Sequence, residues 1–410
     1  MLALVTPLFS PFFRARKLLC LMQHEKGESH DSAVGEGEES SADMPTSKPE
    51  PISIVIVEHD SAFRLEQILP KYLSQNYAGD FKVIVVIDKN DSESEDVLKR
   101  VGDNPHLYYT FLPTASRYLS RKKLGITLGL RAAKTDWVVV TDVHCAPTSD
   151  NWLTHFAKHC TNDKTLVLGM TPYEDDAPVY DRFNHLRTML YHLRQAQKGT
   201  AFSTNQSMVA IRKSEFFKQK GFSGNLEYTR AEFDFLVNKF AEEGNTALAI
   251  EPEAWLQQFN PNPKRWRGRQ LFTLDAMKGL QRKGWFKFWS YLDNDLIHVF
   301  NFVMFFWIVI ACLCIWAESE KIPVNPNVMM HFHILLAILV VVWLISQIVR
   351  FFIYRPLLKA FTIKNPEYEN YSYINPFLAI LLEWTMTFRN IALAIRYKFL
   401  DKTDFITHKL

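Results

Sequence analysis

The sequence predicts an α/β domain followed by transmembrane helices. Two runs rich in β-branched residues, 52–57 and 82–87, lack polar–apolar alternation, so they fit strands buried on both faces of a parallel sheet. Residues 64–75 between them have apolar side chains at helical spacing, which predicts a strand–helix–strand unit. Two uncharged apolar runs, 296–316 and 328–349, are each long enough to cross about 30 Å of hydrocarbon.

Composition divides the chain into further segments. We expect residues 1–23 to be an amphipathic segment that contacts the membrane. Residues 24–50 hold eight Asp or Glu and two Lys and are rich in Ser and Gly, which predicts an acidic disordered linker. The five cysteines fit neither a disulfide framework nor a zinc site. We expect no nucleic-acid partner.

The α/β domain is predicted to cover residues 51–290 and the two transmembrane helices residues 291–352. Basic residues precede the first span and follow the second, whereas the loop between the spans has only one. By the positive-inside rule this places the domain and the tail in the cytoplasm. A third apolar stretch within 353–410 contains Glu383 and Arg389, and charges inside a span are costly. We therefore interpret it as an interfacial or re-entrant helix followed by a cytoplasmic tail, with a third crossing as the alternative.

Polar residues follow three of the predicted strands. Glu58 follows the first strand, Asp88 the second, and Asp142 and His144 the strand that begins at Trp137, after a basic helix-like segment at 116–134. Ligands of α/β sheets bind beyond the carboxyl ends of the strands. An acid and an imidazole there can share a divalent cation, and such a cation can neutralise the charge of a diphosphate. The sequence has no glycine-rich dinucleotide or P-loop motif beside these strands, which disfavours an oxidoreductase or a P-loop NTPase.

The order of these features resembles family 2 glycosyltransferases of the GT-A fold, in particular the membrane-anchored bacterial kind. The resemblance covers about residues 51–290 and rests on five segments. They are the first nucleotide-binding strand at 54–60, the strand ending in the uracil-contacting acid at 85–88, the helix start at 121–126, the Asp-x-Asp site at 142–144 and the acidic acceptor-site helix at 232–238.

The resemblance implies a Rossmann-like domain that binds a nucleotide sugar, and it assigns roles to residues. Glu58, Asp88, Lys122 and Asp142 are expected to bind the nucleotide sugar, and Asp142 and His144 to bind Mn²⁺ or Mg²⁺. The basic segment 264–269, which matches the family pattern only weakly, is expected to contact the diphosphate through Arg265, Arg267 and Arg269.

The catalytic base is expected to be Asp234 or Glu232. Two residues apart on a helix, these side chains point roughly 200° apart, so only one of them should face an acceptor. We favour Asp234, and a solvated acidic face with no catalytic role is the alternative.

The implied reaction is an inverting transfer from a nucleotide sugar, best matched by a UDP-sugar, to a lipid-linked or cell-surface glycan in polysaccharide biosynthesis. The implied location is the cell inner (cytoplasmic) membrane, as a multi-pass protein in contact with membrane lipid.

Two departures from the family pattern leave alternatives open. His144 replaces the second acid of Asp-x-Asp, and Phe233 replaces the acid that follows Glu in the Glu-Asp motif. A catalytically impaired, nucleotide-sugar-binding scaffold of a polysaccharide assembly complex is therefore the competing hypothesis. The basic segment 264–269 has an alternative role at the anionic lipid surface. A polysaccharide channel is disfavoured because two spans and one amphipathic helix do not enclose a pore.

Overall fold

The computed structural model describes residues 6–34, 49–113, 120–199, 201–260, 263–282, 285–320, 326–361 and 374–400. Nine strands lie within them: β1 (Ile52–Val57), β2 (Phe81–Asp88), β3 (Leu107–Leu112), β4 (Trp137–Asp142), β5 (Cys145–Pro147), β6 (Leu166–Leu168), β7 (Met208–Arg212), β8 (Thr246–Leu248) and β9 (Leu256–Gln258). Seven of these form one mainly parallel sheet in the order β3-β2-β1-β4-β7-β6-β8.

The parallel half of the sheet is the part that the sequence predicts best. Strand β1 pairs in parallel with both β2 and β4, with Ile52 opposite Phe81 and Trp137. Every residue of β1 is buried, and β2 and β4 are buried over nearly their whole length. Burial on both faces explains why these strands read as continuous apolar runs. The carboxyl ends of β1, β2 and β4 therefore meet at one edge of the sheet.

Strand β7 reverses the direction of the sheet. It runs antiparallel to β4, with Met208 opposite Thr141 and Arg212 opposite Trp137. The segment just before β7 therefore reaches the same edge at which β4 ends. The Thr141 hydroxyl donates a hydrogen bond of 3.1 Å to the carbonyl of Ser207 and holds that segment in place.

The helices of the chain are α1 (Pro11–Val34), α2 (Ala62–Leu73), α3 (Ser92–Val101), α4 (Arg121–Ala132), α5 (Trp152–Ala157), α6 (Val179–Gln197), α7 (Lys213–Lys218), α8 (Glu232–Phe240), α9 (Pro263–Gly279), α10 (Trp285–Ser319), α11 (Pro326–Ala360) and α12 (Pro376–Phe399). Helix α4 packs directly on β1 at Gly125 and Gly129. The approach is so close that a Cβ atom at these two positions would clash with Val57 and Val55, respectively. This close approach brings the first turn of α4 to the edge where the strands end.

Three C-terminal helices are long and apolar enough to cross a membrane: Val299–Ala317, Met330–Ala360 and Pro376–Phe399. The first two include most of the two predicted spans. The α/β domain followed by such helices confirms the predicted fold class.

The N-terminal helix α1 contacts the domain as well as the apolar helices. Its buried face includes Phe12, whose ring centroid lies 5.9 Å from that of Phe183 on α6 and 4.5 Å from that of Tyr354 on α11. The helix runs on to Val34, so the first part of the predicted linker is helical, whereas residues 35–48 lie outside the described residues.

Helix α12 makes polar contacts with the α/β domain along much of its length. Glu383 is fully buried and accepts hydrogen bonds from Arg187 of α6 at 3.1 Å and Arg350 of α11 at 2.8 Å. Arg389 lies 3.7 Å from the centroid of the Tyr180 ring. Both charges that the sequence places in this apolar stretch thus face protein.

Candidate active site

A cavity of about 480 Å³ opens at the edge of the sheet where β1 and β4 end. Its wall includes Asp142 at the end of β4, His144 just after it, Lys122 from α4, and both Glu232 and Asp234 from α8. Clefts of this size that contain a few convergent polar groups are typical binding sites. Most of the catalytic and metal-binding residues predicted from the sequence are therefore brought together in one place.

Asp142 is held by two neighbours. One carboxylate oxygen accepts a 3.1 Å hydrogen bond from the backbone N–H of His144, and the other pairs with the Lys122 ammonium. Burial disfavours the ionised carboxylate, but the Lys122 and His144 charges and the hydrogen bonds from both residues together outweigh burial and hold the pKa of Asp142 well below its usual range. Asp142 is therefore ionised under all physiological conditions.

Lys122 bridges two acids of the site. Its ammonium pairs with Asp142 and lies 3.2 Å from a carboxylate oxygen of Glu232. It also lies 5.2 Å from the centroid of the Phe233 ring. The adjacent Lys123 has a structural role, since its buried ammonium donates to the carbonyls of Asn225 and Tyr228.

Asp88 lies at the end of β2, as the sequence predicts, but its carboxylate is occupied. It accepts from the Nδ1 atom of His59 at 2.5 Å and pairs with Arg121. His59 lines the cavity, whereas Asp88 and Arg121 are absent from its described wall. The proposed contact of Asp88 with a base stays a prediction.

Glu58 holds the loop that follows β1. Its fully buried carboxylate accepts from the backbone N–H of Ser61 and, at 2.7 Å, from the hydroxyl of Ser94 on α3. Burial raises its pKa to about 7. Glu58 is absent from the described wall of the cavity, so the structure gives it internal partners and leaves its predicted role in binding the nucleotide sugar as a prediction.

The two acids of α8 both line the cavity and have different partners. Glu232 faces Lys122, whereas Asp234 accepts hydrogen bonds at its Oδ1 atom from the Ser203 hydroxyl at 2.5 Å and the Thr204 N–H at 3.2 Å. Burial raises the pKa of Asp234 to about 6. Their directions differ as helix geometry predicts, but the cavity is wide enough to include both.

The basic segment contributes Arg269 to the cavity wall. Its guanidinium donates to the carbonyl of Asn205 at 2.9 Å and to the hydroxyl of Ser207 at 3.2 Å. Arg267 is exposed and donates to the carbonyl of Pro263, and the side chain of Arg265 lies outside the described residues. A diphosphate contact is thus geometrically open to Arg269 and stays a prediction for all three.

A divalent cation fits the donor set of the site. Among the described residues no group of three or more His, Cys, Asp or Glu side chains could hold a metal ion. Asp142 and His144 would therefore supply two ligands, and the substrate phosphates and water the others. Mg²⁺ is commonly bound in this manner, by one or two protein ligands plus substrate phosphates, and imidazole and carboxylate both suit Mn²⁺-class ions.

Sequence reasoning missed one wall of the cavity. Helix α6 lines it with Asn184, His185, Thr188 and His192. In the sequence, Asn184, Thr188 and His192 recur at intervals of four within this largely buried helix. That spacing was the available signal, because residues four apart share a helix face.

Comparison with known proteins identifies part of the chain. The family model for glycosyl transferase family 2 matches residues 53–220, which confirms the resemblance over these residues. No curated protein sequence matches the chain. The solved structure of a mannosyltransferase from Pyrobaculum calidifontis, in complex with GDP-Man and Mn²⁺, has 16% identity and a TM-score of 0.48, covering 95% of this chain and 99% of that one. S. aureus TarS 1–349 in complex with UDP has 12% identity and a TM-score of 0.40, covering 61% of this chain and 70% of that one.

Proposed function

Because residues 53–220 form a glycosyl transferase family 2 domain, we propose that the chain transfers a sugar from a nucleotide sugar to an acceptor hydroxyl. The observation that carries the proposal is the convergence of Asp142, His144, Glu232 and Asp234 on one cavity at the carboxyl edge of the sheet. Inverting transfer needs a carboxylate that takes the acceptor proton and positive charge near the departing diphosphate. The cavity supplies groups of both kinds.

Asp234 is the better candidate for the base. Both of its hydrogen bonds go to Oδ1, and no described residue donates to Oδ2. Oδ2 can therefore take the proton of the acceptor hydroxyl while that oxygen attacks the anomeric carbon and the nucleoside diphosphate leaves with the bonding electrons. A pKa of about 6 keeps Asp234 mostly ionised at pH 7 and still basic enough to accept the proton. Glu232 is already paired with Lys122.

Asp142 and His144 would hold a Mn²⁺ or Mg²⁺ ion together with the diphosphate. When bound, the ion neutralises the negative charge that develops on the leaving diphosphate. Lys122 now pairs with Asp142, and its 3.2 Å contact with Glu232 gives it a second carboxylate partner when Asp142 binds the ion. Arg269, on the same cavity wall, would add a fixed positive charge.

We propose a UDP-sugar donor and a lipid-linked or cell-surface glycan acceptor. The acceptor side of the cavity lies close to the apolar part of the molecule, which supports an acceptor carried on a lipid. Phe272 of α9 lines the cavity, and with Leu271 it packs against Leu393 and Tyr397 of α12. One helix therefore separates the cavity from a helix whose outer side chains are apolar.

We propose that the protein is a multi-pass protein of the cytoplasmic membrane and that α12 lies along the membrane surface. Its contacts with the α/β domain extend from Glu383 to Tyr397, which donates a 2.8 Å hydrogen bond to Asp275. That interval is about 21 Å of helix, most of the hydrocarbon thickness. The other face of α12 exposes apolar side chains, Phe388 and Ile391 among them. A helix with one face on a domain and one on lipid need not cross.

A topology reporter fused after residue 410 tests this arrangement. With two crossings, reporters fused to the tail and to the α/β domain are active on the same side of the membrane. A tail reporter on the opposite side would establish three crossings and refute the surface position of α12.

Nucleotide-sugar turnover by the detergent-purified chain tests the activity. A panel of UDP- and GDP-sugars is supplied with a glycolipid extract, with and without Mn²⁺. We expect metal-dependent release of nucleoside diphosphate that is lost in His144→Ala and Asp234→Asn. The matched controls are His155→Ala and Asp163→Asn, which change residues outside the described cavity wall and should retain activity.

A scaffold that binds nucleotide sugars without turnover is the second candidate. The observation that favours it is that the Lys122 ammonium pairs with both Asp142, a predicted metal ligand, and Glu232, a candidate base, in this structure. Metal-dependent binding of a nucleotide sugar, with no turnover of any donor in the panel, would establish this function instead.

A further inference from the structure

One face of α6 presents polar side chains to the cavity and has no role in the chemistry described above. Asn184, Thr188 and His192 are four residues apart, so they form one stripe along about 12 Å of helix. All three line the cavity. The rest of the helix is mostly buried and carries both apolar side chains, such as Phe183 and Met189, and charged ones, such as Arg182 and Arg187.

His192 is the residue of the stripe that most needs a partner. It is 8% exposed, and its Nδ1 atom is buried without a hydrogen-bond partner among the described residues. The ring is fixed from the side by Phe202, whose centroid lies 5.5 Å away at an interplanar angle of 65°. Buried polar atoms in folded proteins are nearly always hydrogen-bonded, so an orphaned one beside a cavity points to a ligand.

The stripe is neutral, and this determines what it can bind. Burial lowers the pKa of His192 to about 4, so at pH 7 one ring nitrogen donates and the other accepts. The Asn184 amide and the Thr188 hydroxyl also combine a donor with an acceptor. Hydroxyl groups, which both donate and accept, match such a surface, whereas a phosphate would need a cationic partner and none of the three stripe residues supplies one.

The stripe also lies on the acceptor side of the cavity. Asn205 donates a 2.9 Å hydrogen bond to the carbonyl of His185 on α6, and the same 203–207 segment supplies the Ser203 and Thr204 partners of Asp234. Helix α6, which carries the stripe, and the candidate base are therefore both anchored to one short segment.

We propose that Asn184, Thr188 and His192 form a subsite that binds the hydroxyl groups of a neutral sugar unit of the acceptor. The inference rests on the proposed function, because it assigns the sugar to the acceptor. It adds that the acceptor presents a neutral sugar to the cavity and that its recognition is separate from binding of the nucleotide. A site built to hydrogen-bond substrate hydroxyls discriminates strongly against analogues that lack them.

Saturation-transfer NMR tests the subsite without requiring turnover. The detergent-purified full chain, saturated with UDP and the diamagnetic ion Mg²⁺, is mixed with methyl glycosides of glucose, galactose, mannose or N-acetylglucosamine. We expect at least one glycoside to bind the wild type. Thr188→Val and His192→Phe should each weaken that binding by about tenfold, the effect of losing roughly one hydrogen bond. His192→Asn, which restores a polar group near Nδ1, should recover most of it.

Matched controls and competition separate the outcomes. Thr154→Val and His155→Phe make similar changes on α5, outside the described cavity wall, and should leave glycoside binding unchanged. Absence of binding to every glycoside, or wild-type binding in Thr188→Val and His192→Phe, would overturn the inference. Loss of glycoside binding when a nucleotide sugar replaces UDP in the sample would assign the stripe to the donor sugar and overturn the inference also. Glycoside binding through the stripe without turnover of any donor would refute only the proposed function.

Discussion

Replacing Asp234 with asparagine should reduce catalysis and stabilise the fold at the same time. Oδ1 of Asp234 accepts hydrogen bonds from Ser203 and Thr204, and the amide oxygen of asparagine can accept both. The local packing is therefore retained. An amide cannot take the acceptor proton, and general-base catalysis typically contributes about 10²–10⁴-fold, so turnover should fall by a factor in that range.

The pH dependence of the wild type follows from the pKa of Asp234, which burial raises from 3.8 to about 6. The ionised fraction of such a group is about 0.9 at pH 7 and about 0.1 at pH 5. If Asp234 is the base, kcat/KM should therefore fall about tenfold between these values. The residual activity of Asp234→Asn should lack this dependence.

The stability effect has the opposite sign. A carboxyl whose pKa is higher in the folded state than in the unfolded state stabilises the fold below pH 3.8, and this contribution is lost as the pH rises to about 6. A difference of roughly two pKa units corresponds to about 3 kcal/mol. Because asparagine carries no charge, the free energy of unfolding of Asp234→Asn should exceed that of the wild type at pH 8 by up to about 3 kcal/mol. The gain should shrink towards pH 4.

Thermal unfolding of the detergent-purified chain at pH 5 and pH 8, measured beside nucleotide-sugar turnover, checks both effects. Asp163→Asn is the control, since Asp163 is exposed and absent from the described cavity wall. Wild-type turnover and an unchanged pH profile in Asp234→Asn would show that the base lies elsewhere, with Glu232 as the next candidate. An unchanged Tm at pH 8 would refute the argument from burial.

Three further perturbations have defined outcomes. Lys122→Met leaves the buried Asp142 carboxylate without its ammonium partner, so its charge repels a diphosphate. Calorimetry in the absence of metal should show that UDP binds at least tenfold more weakly than to the wild type. Unchanged affinity would contradict the role of the Lys122 charge. Glu58→Gln removes a carboxyl whose pKa is raised to about 7 by burial. The wild-type Tm should fall as the pH rises from 5 to 8, and this fall should be smaller in the variant. An identical dependence of Tm on pH in both proteins would refute the contribution of Glu58. Glu383→Ala leaves two buried arginines without their shared carboxylate, which should lower the free energy of unfolding by about 3–5 kcal/mol. Its Tm should fall well below that of Glu66→Ala, a control that breaks an exposed ion pair. Equal Tm shifts in the two variants would contradict the buried network.

The parallel strands and the position of Asp142 were predictable because their signals are local. A run of β-branched residues buried on both faces has no polar alternation, and the residues after it necessarily lie at the carboxyl end of the strand. The same reasoning located Asp88 correctly at its strand end. It did not reveal that His59 and Arg121 occupy the Asp88 carboxylate, because that depends on side-chain packing between segments.

Features that depend on contacts distant in sequence were not predictable from pattern alone. The reversed strand Met208–Arg212 is a short apolar run, and nothing local states which strand it joins or in which direction. The bridge from Lys122 to Asp142 and Glu232 joins three segments far apart in the chain. It requires the close approach of a helix and a strand that Gly125 permits, and a glycine alone does not identify its neighbour.

Chain order also divides the cavity wall. Wall residues from 57 to 144 come from the part of the chain that holds the parallel strands β1, β2 and β4, whereas those from 173 to 277 come later in the chain and include the candidate base, the α6 stripe and Arg269. A single genetic crossover between positions 144 and 173 would therefore exchange one side of the cavity intact while leaving the other unaltered. If the proposed function holds, most of the nucleotide contacts and the acceptor contacts are separately heritable, so related chains can diverge in the acceptor while they retain the donor.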